Sequence, residues 1–173
     1  LYMAAFTALE LGRNDDAWNY ASAFLTAHAK HERTPDVLQV AAEAQLQRKD
    51  AGEAEKLYRR LLGEYPDHPD SQLWKVRCAV SLQLQKKHAE AIALVTPALA
   101  AIQDPQVLAE ANHVVGRSLL ESGQADKATP YLEAAVAGTA PWRRADESWL
   151  ALAESYRAGN QLDKAVEAVS RLI

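Results

Sequence analysis

Two histidines show the spacing that comes nearest to a chemical site in this sequence. His28 and His31 are three residues apart with Glu32 beside them, so on a helix they could face one way and hold a metal ion. No cysteine or further histidine lies close by in sequence to complete a ligand set. The alternative, which we favour, is a pair of exposed histidines at a helix end. We therefore predict no metal site.

The other reactive side chains also favour structural roles. Cys78 occupies a small-residue position in an apolar pattern, which indicates a buried, inert thiol rather than a nucleophile. The carboxylates of Asp15, Asp16 and Asp126 are typical of helix starts rather than of an acid–base pair. The sequence contains no glycine-rich phosphate loop, nucleophile elbow or zinc motif. We therefore predict that the protein is not an enzyme and uses no cofactor.

The composition predicts an all-helical protein. The chain has 173 residues and is rich in alanine, leucine, glutamate and glutamine, with few β-branched and aromatic residues for a sheet. Its 19 basic and 23 acidic residues give a net charge of −4, which argues against nucleic acid or an anionic membrane as the partner. A single cysteine excludes an intramolecular disulfide. Every apolar stretch is far shorter than the roughly 20 residues of a spanning helix, so we expect no membrane insertion.

Small residues recur at a fixed interval of 37 residues along the whole chain. They form two series that are twelve residues apart, and each series has five members. Small side chains at two such positions let the two helices of one repeat cross closely, so the pattern predicts helical hairpins. The first series is Ala17, Ala54, Ala91, Ala128 and Ala165, and the second is Ala5, Ala42, Ala79, Gly116 and Ala153.

The boundaries of these helices also have sequence signals. Gly12 and Gly123 stand where a C-terminal cap is expected. Three aspartates next to prolines mark the start of the following first helix, and these are Asp36, Asp70 and Asp104.

Two prolines and one tryptophan fall near or between helices. Pro97 lies in the middle of an apolar helical pattern and should kink or break that helix. Pro130 falls in the first turns of its helix, where little hydrogen bonding is lost. Trp142 is expected to pack over the adjoining helix, while the arginines that follow it, Arg143 and Arg144, stay solvated.

The repeat resembles the tetratricopeptide repeat family, whose signature is W-x2-L-G-x2-Y, then A-x3-F, then P. The resemblance implies an all-α, right-handed superhelical solenoid of about five antiparallel helix pairs. The implied repeats are 1–34, 35–71, 72–108, 109–145 and 146–173, and the apolar patterns at both ends predict that the sequence is a segment of a longer protein. The matching residues are Trp149, Leu152, Ala153 and Tyr156 in repeat five, Ala54, Tyr58 and Pro66 in repeat two, and Gly116 in repeat four.

The sequence departs from the family pattern in its period, which is 37 residues rather than 34. The three additional residues fit best after the second helix, for example in the segment from Pro66 to Ser71. Longer loops of this kind resemble tetratricopeptide lipoproteins and export scaffolds of the bacterial envelope. The sequence leaves the compartment undetermined, and this resemblance favours the bacterial periplasm or envelope over the cytoplasm.

The family resemblance also implies where a partner would bind. First helices of tetratricopeptide repeats line a concave face that holds extended peptides or helices. Tyr2, Phe6, Val76 and Val80 would form an exposed apolar strip on that face. The full set of implied groove positions is Tyr2, Phe6, Gln39, Glu43, Val76, Arg77, Val80, His113, Arg117, Leu150, Glu154 and Arg157.

The alternative is that some of these residues serve the array itself. Val76, Val80 and Leu150 could instead pack against the neighbouring repeat. Arg117 and Glu154 could be solvated or paired with each other. The clamp of lysine and asparagine that grips a terminal carboxylate in the chaperone-binding members is not matched here, although His113 and Arg117 could still meet one carboxylate.

We therefore expect a non-catalytic scaffold or adaptor whose partner is another protein or a peptide. One alternative is an assembly platform of a bacterial envelope or export system that self-associates through its ends. Its support is the apolar end of the last repeat, formed by Ala165, Val166, Val169, Leu172 and Ile173. A second alternative is a regulatory module of a larger enzyme.

Overall fold

The computed structural model describes residues 1–137, 142 and 144–172, and all regular secondary structure among them is helical. This confirms the predicted all-α helical repeat. The helices are α1 (Tyr2–Glu10), α2 (Asn14–Ala27), α3 (Thr34–Gln47), α4 (Ala51–Glu64), α5 (Ser71–Leu84), α6 (His88–Val95) with a 3-10 helix (Thr96–Ala101), α7 (Pro105–Glu121), α8 (Ala125–Val136), α9 (Ala145–Ala158) and α10 (Leu162–Ser170).

Short connections make successive helices into hairpins. Three residues join the two helices within a pair, as in the turns at 11–13, 48–50 and 122–124. The connections between pairs at 28–33 and 65–70 are six residues long. The longer connection therefore follows the second helix of a repeat, as predicted for the three additional residues of the period.

The chain forms two compact units, and each has its own buried core. The first unit, Leu1–Gln85, contains α1 to α5 and buries Tyr58 and Trp74 completely. The second unit, Lys86–Ile173, contains α6 to α10 and buries Val95 and Leu132 completely. Among the helices of the described ranges, none is both long and apolar enough to cross a bilayer.

Nine of the ten small residues of the two series are buried, as close helix crossings require, and the exception is Ala165. Ala5, Ala42 and Ala79 are completely buried in the first unit. In the second unit, Gly116 lies so close to α8 that a Cβ atom on it would be 2.6 Å from Cγ of Leu132. Neighbouring helices approach within van der Waals contact there only because the side chain is absent.

The C-terminal caps of the first helices repeat with the same period. Gly12 and Gly123 adopt positive φ angles of 70° and 76°, which confirms the two predicted caps. Three residues other than glycine adopt the same conformation at the equivalent positions, and they are Lys49, Lys86 and Asn160, with φ angles of 66°, 61° and 57°. The cap geometry is therefore kept in all five repeats although the residue type changes.

Two of the three aspartates that were predicted to mark helix starts are N-cap residues. Asp104 accepts hydrogen bonds from the backbone N–H groups of Gln106 and Val107 at 2.8 and 3.1 Å. Asp70 is also an N-cap residue, without a side-chain cap bond. Asp36 lies in the first turn of α3, which begins at Thr34, so it also marks a helix start as predicted.

The prolines and the tryptophan follow the sequence expectations closely. Helix α6 ends at Val95 and the 3-10 helix that follows contains Pro97, so the predicted break is confirmed. Pro130 is the sixth residue of α8, inside the second turn. Trp142 is buried and its Nε1 donates to Ser148 Oγ at 3.1 Å, whereas Arg143 lies outside the described residues.

Candidate binding surfaces on the first helices

Four of the predicted groove residues meet in one pocket of the first unit. Tyr2 and Phe6 come from α1, while Gln39 and Glu43 come from the equivalent positions of α3. The pocket has a volume of about 270 Å³ and is completed by Leu9, Val40, Asp36 and Asp70. Phe6 is 42% exposed, so it offers an apolar ring to an incoming side chain.

Two polar residues of this pocket, Gln39 and Glu43, are held by neighbouring helices. Glu43 accepts a hydrogen bond from the hydroxyl of Tyr58 at 2.5 Å, and its Oε1 lies 3.0 Å from Nε of Arg77. Gln39 Oε1 accepts from Nε1 of Trp74 at 2.8 Å. These contacts join α3 to α4 and α5, so the polar side of the pocket is fixed in position before any partner arrives.

Two valines that were expected to extend this surface are buried instead. Val76 is completely buried and Val80 is 7% exposed. The predicted exposed apolar strip is therefore wrong for both residues. Apolar side chains on a first helix gain more free energy by covering a neighbouring surface than by facing water.

The predicted groove residues of repeats four and five form an ion-pair network in the second unit. Nη1 of Arg117 lies 2.7 Å from Oε2 of Glu154, and Nε of Arg117 lies 2.7 Å from Oε1 of Glu121. Arg117 and Glu154 are thus paired with each other, as the alternative interpretation held. The arginine connects α7 to α9 across the repeat boundary.

His113 is buried and cannot meet a partner's carboxylate together with Arg117, so that expectation is wrong. Its Nδ1 lies 2.9 Å from Ser148 Oγ, and its ring centroid lies 5.3 Å from that of Trp142. Burial lowers the pKa of His113 from 6.5 to about 4, although the carboxylate of Glu147 opposes this shift. The imidazole is therefore neutral at physiological pH.

The remaining predicted positions line a second groove, between α9 and α10. Leu150, Glu154 and Arg157 contribute from α9, and Leu162, Val166 and Val169 contribute from α10. The groove has a volume of about 570 Å³. Leu150 is 48% exposed and Val166 is 67% exposed, so its walls are open apolar surface.

The sequence profile of the tetratricopeptide repeat family matches this chain three times, over residues 2–69, 40–106 and 116–173. Together these matches cover almost the whole chain. The chain belongs to the tetratricopeptide repeat family. Members of this family generally mediate interactions between proteins. No curated protein matches the sequence.

Solved tetratricopeptide repeat structures share the fold at low sequence identity. One is a structure of nearly identical TPR-like repeats, assigned to a kinesin light chain of Podosopora anserina. It matches with a TM-score of 0.77 and 19% identity, over 99% of this chain and 90% of that one. The MamA protein matches with a TM-score of 0.74 and 15% identity, over 99% of this chain and 87% of the MamA chain. A Rap protein in complex with Competence and Sporulation Factor matches with a TM-score of 0.78 and 19% identity, over 99% of this chain and 52% of its own.

The other reactive residues of this tetratricopeptide repeat protein lie outside both grooves. His28 and His31 are exposed, and their rings pack around Phe24 with centroid distances of 5.1 and 5.5 Å. No group of three potential metal ligands occurs within the described ranges. Cys78 is completely buried, as its small-residue position predicts.

Two pocket residues of the first unit were not predicted to belong to the binding surface. Asp36 and Asp70 were predicted only as helix starts, yet both line the pocket beside Tyr2 and Phe6. Their place at the beginning of α3 and α5 puts them at the same end of neighbouring first helices. A signal was available, because aspartates at the starts of successive first helices must lie near each other in a stacked array.

Proposed function

We propose that this tetratricopeptide repeat protein is a non-catalytic adaptor that binds a segment of a partner protein in the pocket of the first unit. The observation that carries the proposal is the juxtaposition of Phe6 and Tyr2 with a polar wall that is already fixed by Tyr58, Arg77 and Trp74. A preorganised wall supports binding because the protein loses little conformational entropy when the partner docks.

The chemistry of the pocket indicates what kind of segment it would take. Phe6 and Leu9 provide an apolar contact, which suits an aliphatic or aromatic anchor. Three carboxylate residues, Asp36, Glu43 and Asp70, line the same pocket. Glu43 already pairs with Arg77 and Asp36 with Arg33, so Asp70 is the carboxylate that would attract a lysine or arginine beside the anchor. We therefore propose a segment that presents an apolar and a basic side chain next to each other.

A selection from a random peptide library displayed on phage tests this proposal on the 173-residue chain. We expect enriched peptides to combine an apolar residue with lysine or arginine, and to bind less tightly as the salt concentration rises. Phe6→Asp should weaken the binding of an enriched peptide by at least about tenfold, because it places a charge where the apolar anchor docks.

Tyr20→Asp is the matched control for this experiment. Tyr20 is an exposed aromatic residue of α2, 38% exposed against 42% for Phe6, and it does not line the pocket. Its substitution should leave peptide affinity unchanged, while circular dichroism checks that both variants keep their helix content. Equal affinity of wild type and Phe6→Asp for every enriched peptide would overturn the proposed site.

A further inference from the structure

Two histidines occupy equivalent connections of the first unit and make the same backbone hydrogen bond. His31 and His68 are 37 residues apart, and each shortly precedes a first helix. Nδ1 of His31 accepts from the backbone N–H of Arg33 at 3.0 Å, and Nδ1 of His68 accepts from that of Asp70 at 3.1 Å. A ring nitrogen that accepts a hydrogen bond carries no proton, so this geometry requires neutral imidazoles with the proton on Nε2.

The residue two positions after the histidine has the opposite charge in the two connections. After His31 it is Arg33, whose guanidinium pairs with Asp36 at 3.3 Å. After His68 it is Asp70, whose carboxylate lines the pocket of the first unit and makes no cap bond to α5. Oδ2 of Asp70 lies 3.9 Å from Nδ1 of His68. The second connection therefore places an imidazole within reach of a pocket carboxylate, where the first connection has a permanently charged guanidinium.

The ring of His68 is held against the wall of the pocket. It stacks on Trp74 with a centroid distance of 4.5 Å and an angle of 18° between the ring planes. Nε1 of Trp74 in turn donates to the pocket residue Gln39 at 2.8 Å. The side chain of His68 is 26% exposed, so water can deliver a proton to it. Because stacking restricts the ring, a proton on Nδ1 stays beside Asp70.

The other acidic groups around this part of the pocket are already paired or belong to the connection itself. Glu64, Asp36 and Glu43 each pair with an arginine, whereas Asp70 is within ion-pair range of His68. A proton on the ring therefore acts mainly on the charge of Asp70. The titratable groups at the end of α4, in the connection, at the start of α5 and on the pocket side of α3 are Glu64, Tyr65, Asp67, Asp70, Asp36 and Glu43.

We propose, on the basis of the function proposed above, that His68 makes binding in the first-unit pocket depend on pH, and that acidification releases a basic segment. A proton on Nδ1 turns the acceptor into a donor, so the bond from the N–H of Asp70 is lost and the imidazolium pairs with the carboxylate of Asp70. That carboxylate then attracts a partner's lysine or arginine less strongly. Histidine ordinarily changes its charge between about pH 5 and pH 8, the range in which the release takes place.

The amide signal of Asp70 tests the protonation step without any peptide. In heteronuclear NMR spectra of the 173-residue chain, this signal should move as the pH falls from about 8 to about 5.5, because its hydrogen bond to His68 is lost. In His68→Gln the side-chain carbonyl can still accept the bond but does not titrate, so the signal should stay in place. An Asp70 signal that stays in place in the wild type as well would overturn the proposal.

A histidine-free peptide that was enriched on phage at about pH 8 is the probe for the release step. Its affinity should fall by about two- to fivefold at about pH 5.5, which is the range that an exposed ion pair supports. His68→Gln should keep most of the affinity at the lower pH. Asp70→Asn should bind more weakly at both pH values and show little further loss. Circular dichroism at both pH values checks that each variant keeps its helix content.

His31→Gln is the matched control, because it removes the equivalent histidine that precedes Arg33 instead of a pocket carboxylate. It should keep the pH dependence of the wild type. Loss of that dependence in His31→Gln but not in His68→Gln would overturn the proposal. A peptide whose binding needs Phe6 but does not change with pH would also overturn it and leave the adaptor function standing. If no enriched peptide depends on Phe6, the adaptor site and its regulation are both wrong.

Discussion

Arg117 and Glu154 occupy the same position in consecutive repeats, 37 residues apart, and their side chains form an ion pair of 2.7 Å between Nη1 and Oε2. The contact shows what the equivalent first-helix positions do in this array. Within each unit Gln39, Glu43 and His113 likewise contact the next first helix. Tyr2 and Phe6 of repeat one line a pocket together with Gln39 and Glu43.

The Arg117–Glu154 pair should contribute little to stability, because both side chains are about one-third exposed. We expect a double-mutant cycle with Arg117→Ala, Glu154→Ala and the double variant to give a coupling free energy of about 0.2–1 kcal/mol in chemical denaturation. The cycle cancels the loss of the second contact of Arg117, with Glu121. A coupling energy of zero at low salt would show that the pair does not form in solution.

Gly116 should be intolerant of even one methyl group. The Cβ of Gly116→Ala would lie 2.6 Å from Cγ and 3.2 Å from the backbone nitrogen of Leu132, so α7 and α8 would have to move apart. We expect a loss of about 1–3 kcal/mol in the free energy of unfolding, measured by urea denaturation.

Gly63→Ala is the control for Gly116→Ala, because Gly63 also lies in a helix but should show an effect of the opposite sign. Gly63 lies in α4, and a Cβ atom on it would meet no other atom within 4 Å. Alanine there should stabilise the protein by about 0.4–1 kcal/mol, because it restricts the unfolded chain. Equal effects of the two substitutions would contradict the close crossing at Gly116.

The repeat period could be read from the sequence, but the neighbour of each side chain could not. Small residues 37 apart predict helix crossings because backbone approach depends on side-chain size alone. Whether an apolar residue on a first helix is buried depends on tertiary contacts that its residue type does not specify. Val76 is completely buried and Leu150 is 48% exposed, although both occupy the same position of the repeat.

The helix caps, too, could be predicted from the sequence only in part. Glycine at 12 and 123 predicts a left-handed residue because glycine alone adopts that conformation without steric cost. Lys49 and Lys86 adopt the same conformation, which their residue type does not predict. Only their positions in the 37-residue period indicate it. Extending the 37-residue interval from the glycines would have located both lysines.

Replacement of these lysines by glycine should stabilise the protein. Lys49 and Lys86 hold φ angles of 66° and 61°, which cost a residue with a Cβ atom about 1 kcal/mol or more. We expect Lys86→Gly to raise the free energy of unfolding by about 1 kcal/mol, and Gly123→Lys to lower it by a similar amount. Lys75→Gly, inside α5, should instead lower it by about 1 kcal/mol. Loss of stability in Lys86→Gly would contradict the cap geometry.

His113 should make the stability of the second unit depend on pH. Its pKa is about 4 in the folded protein because of burial, against an ordinary value of 6.5 in the unfolded chain. Between these values the unfolded chain binds more protons than the folded one, so stability falls as the pH falls. The contribution is fully present above pH 6.5 and is lost by about pH 4. A shift of this size corresponds to about 3 kcal/mol.

Comparison of the wild type with His113→Gln isolates this contribution from that of the carboxylates. Glutamine can still bond to Ser148 but does not titrate. Between pH 7 and pH 4 the free energy of unfolding, measured by urea denaturation, should therefore fall by about 3 kcal/mol less in the variant than in the wild type. Circular dichroism follows unfolding in both proteins, because intrinsic fluorescence would combine Trp142 with the other three tryptophans of the chain. Parallel pH profiles for the two proteins would mean that His113 takes up a proton as readily in the folded chain as in the unfolded one, and that Ser148 and Trp142 do not shield it from water.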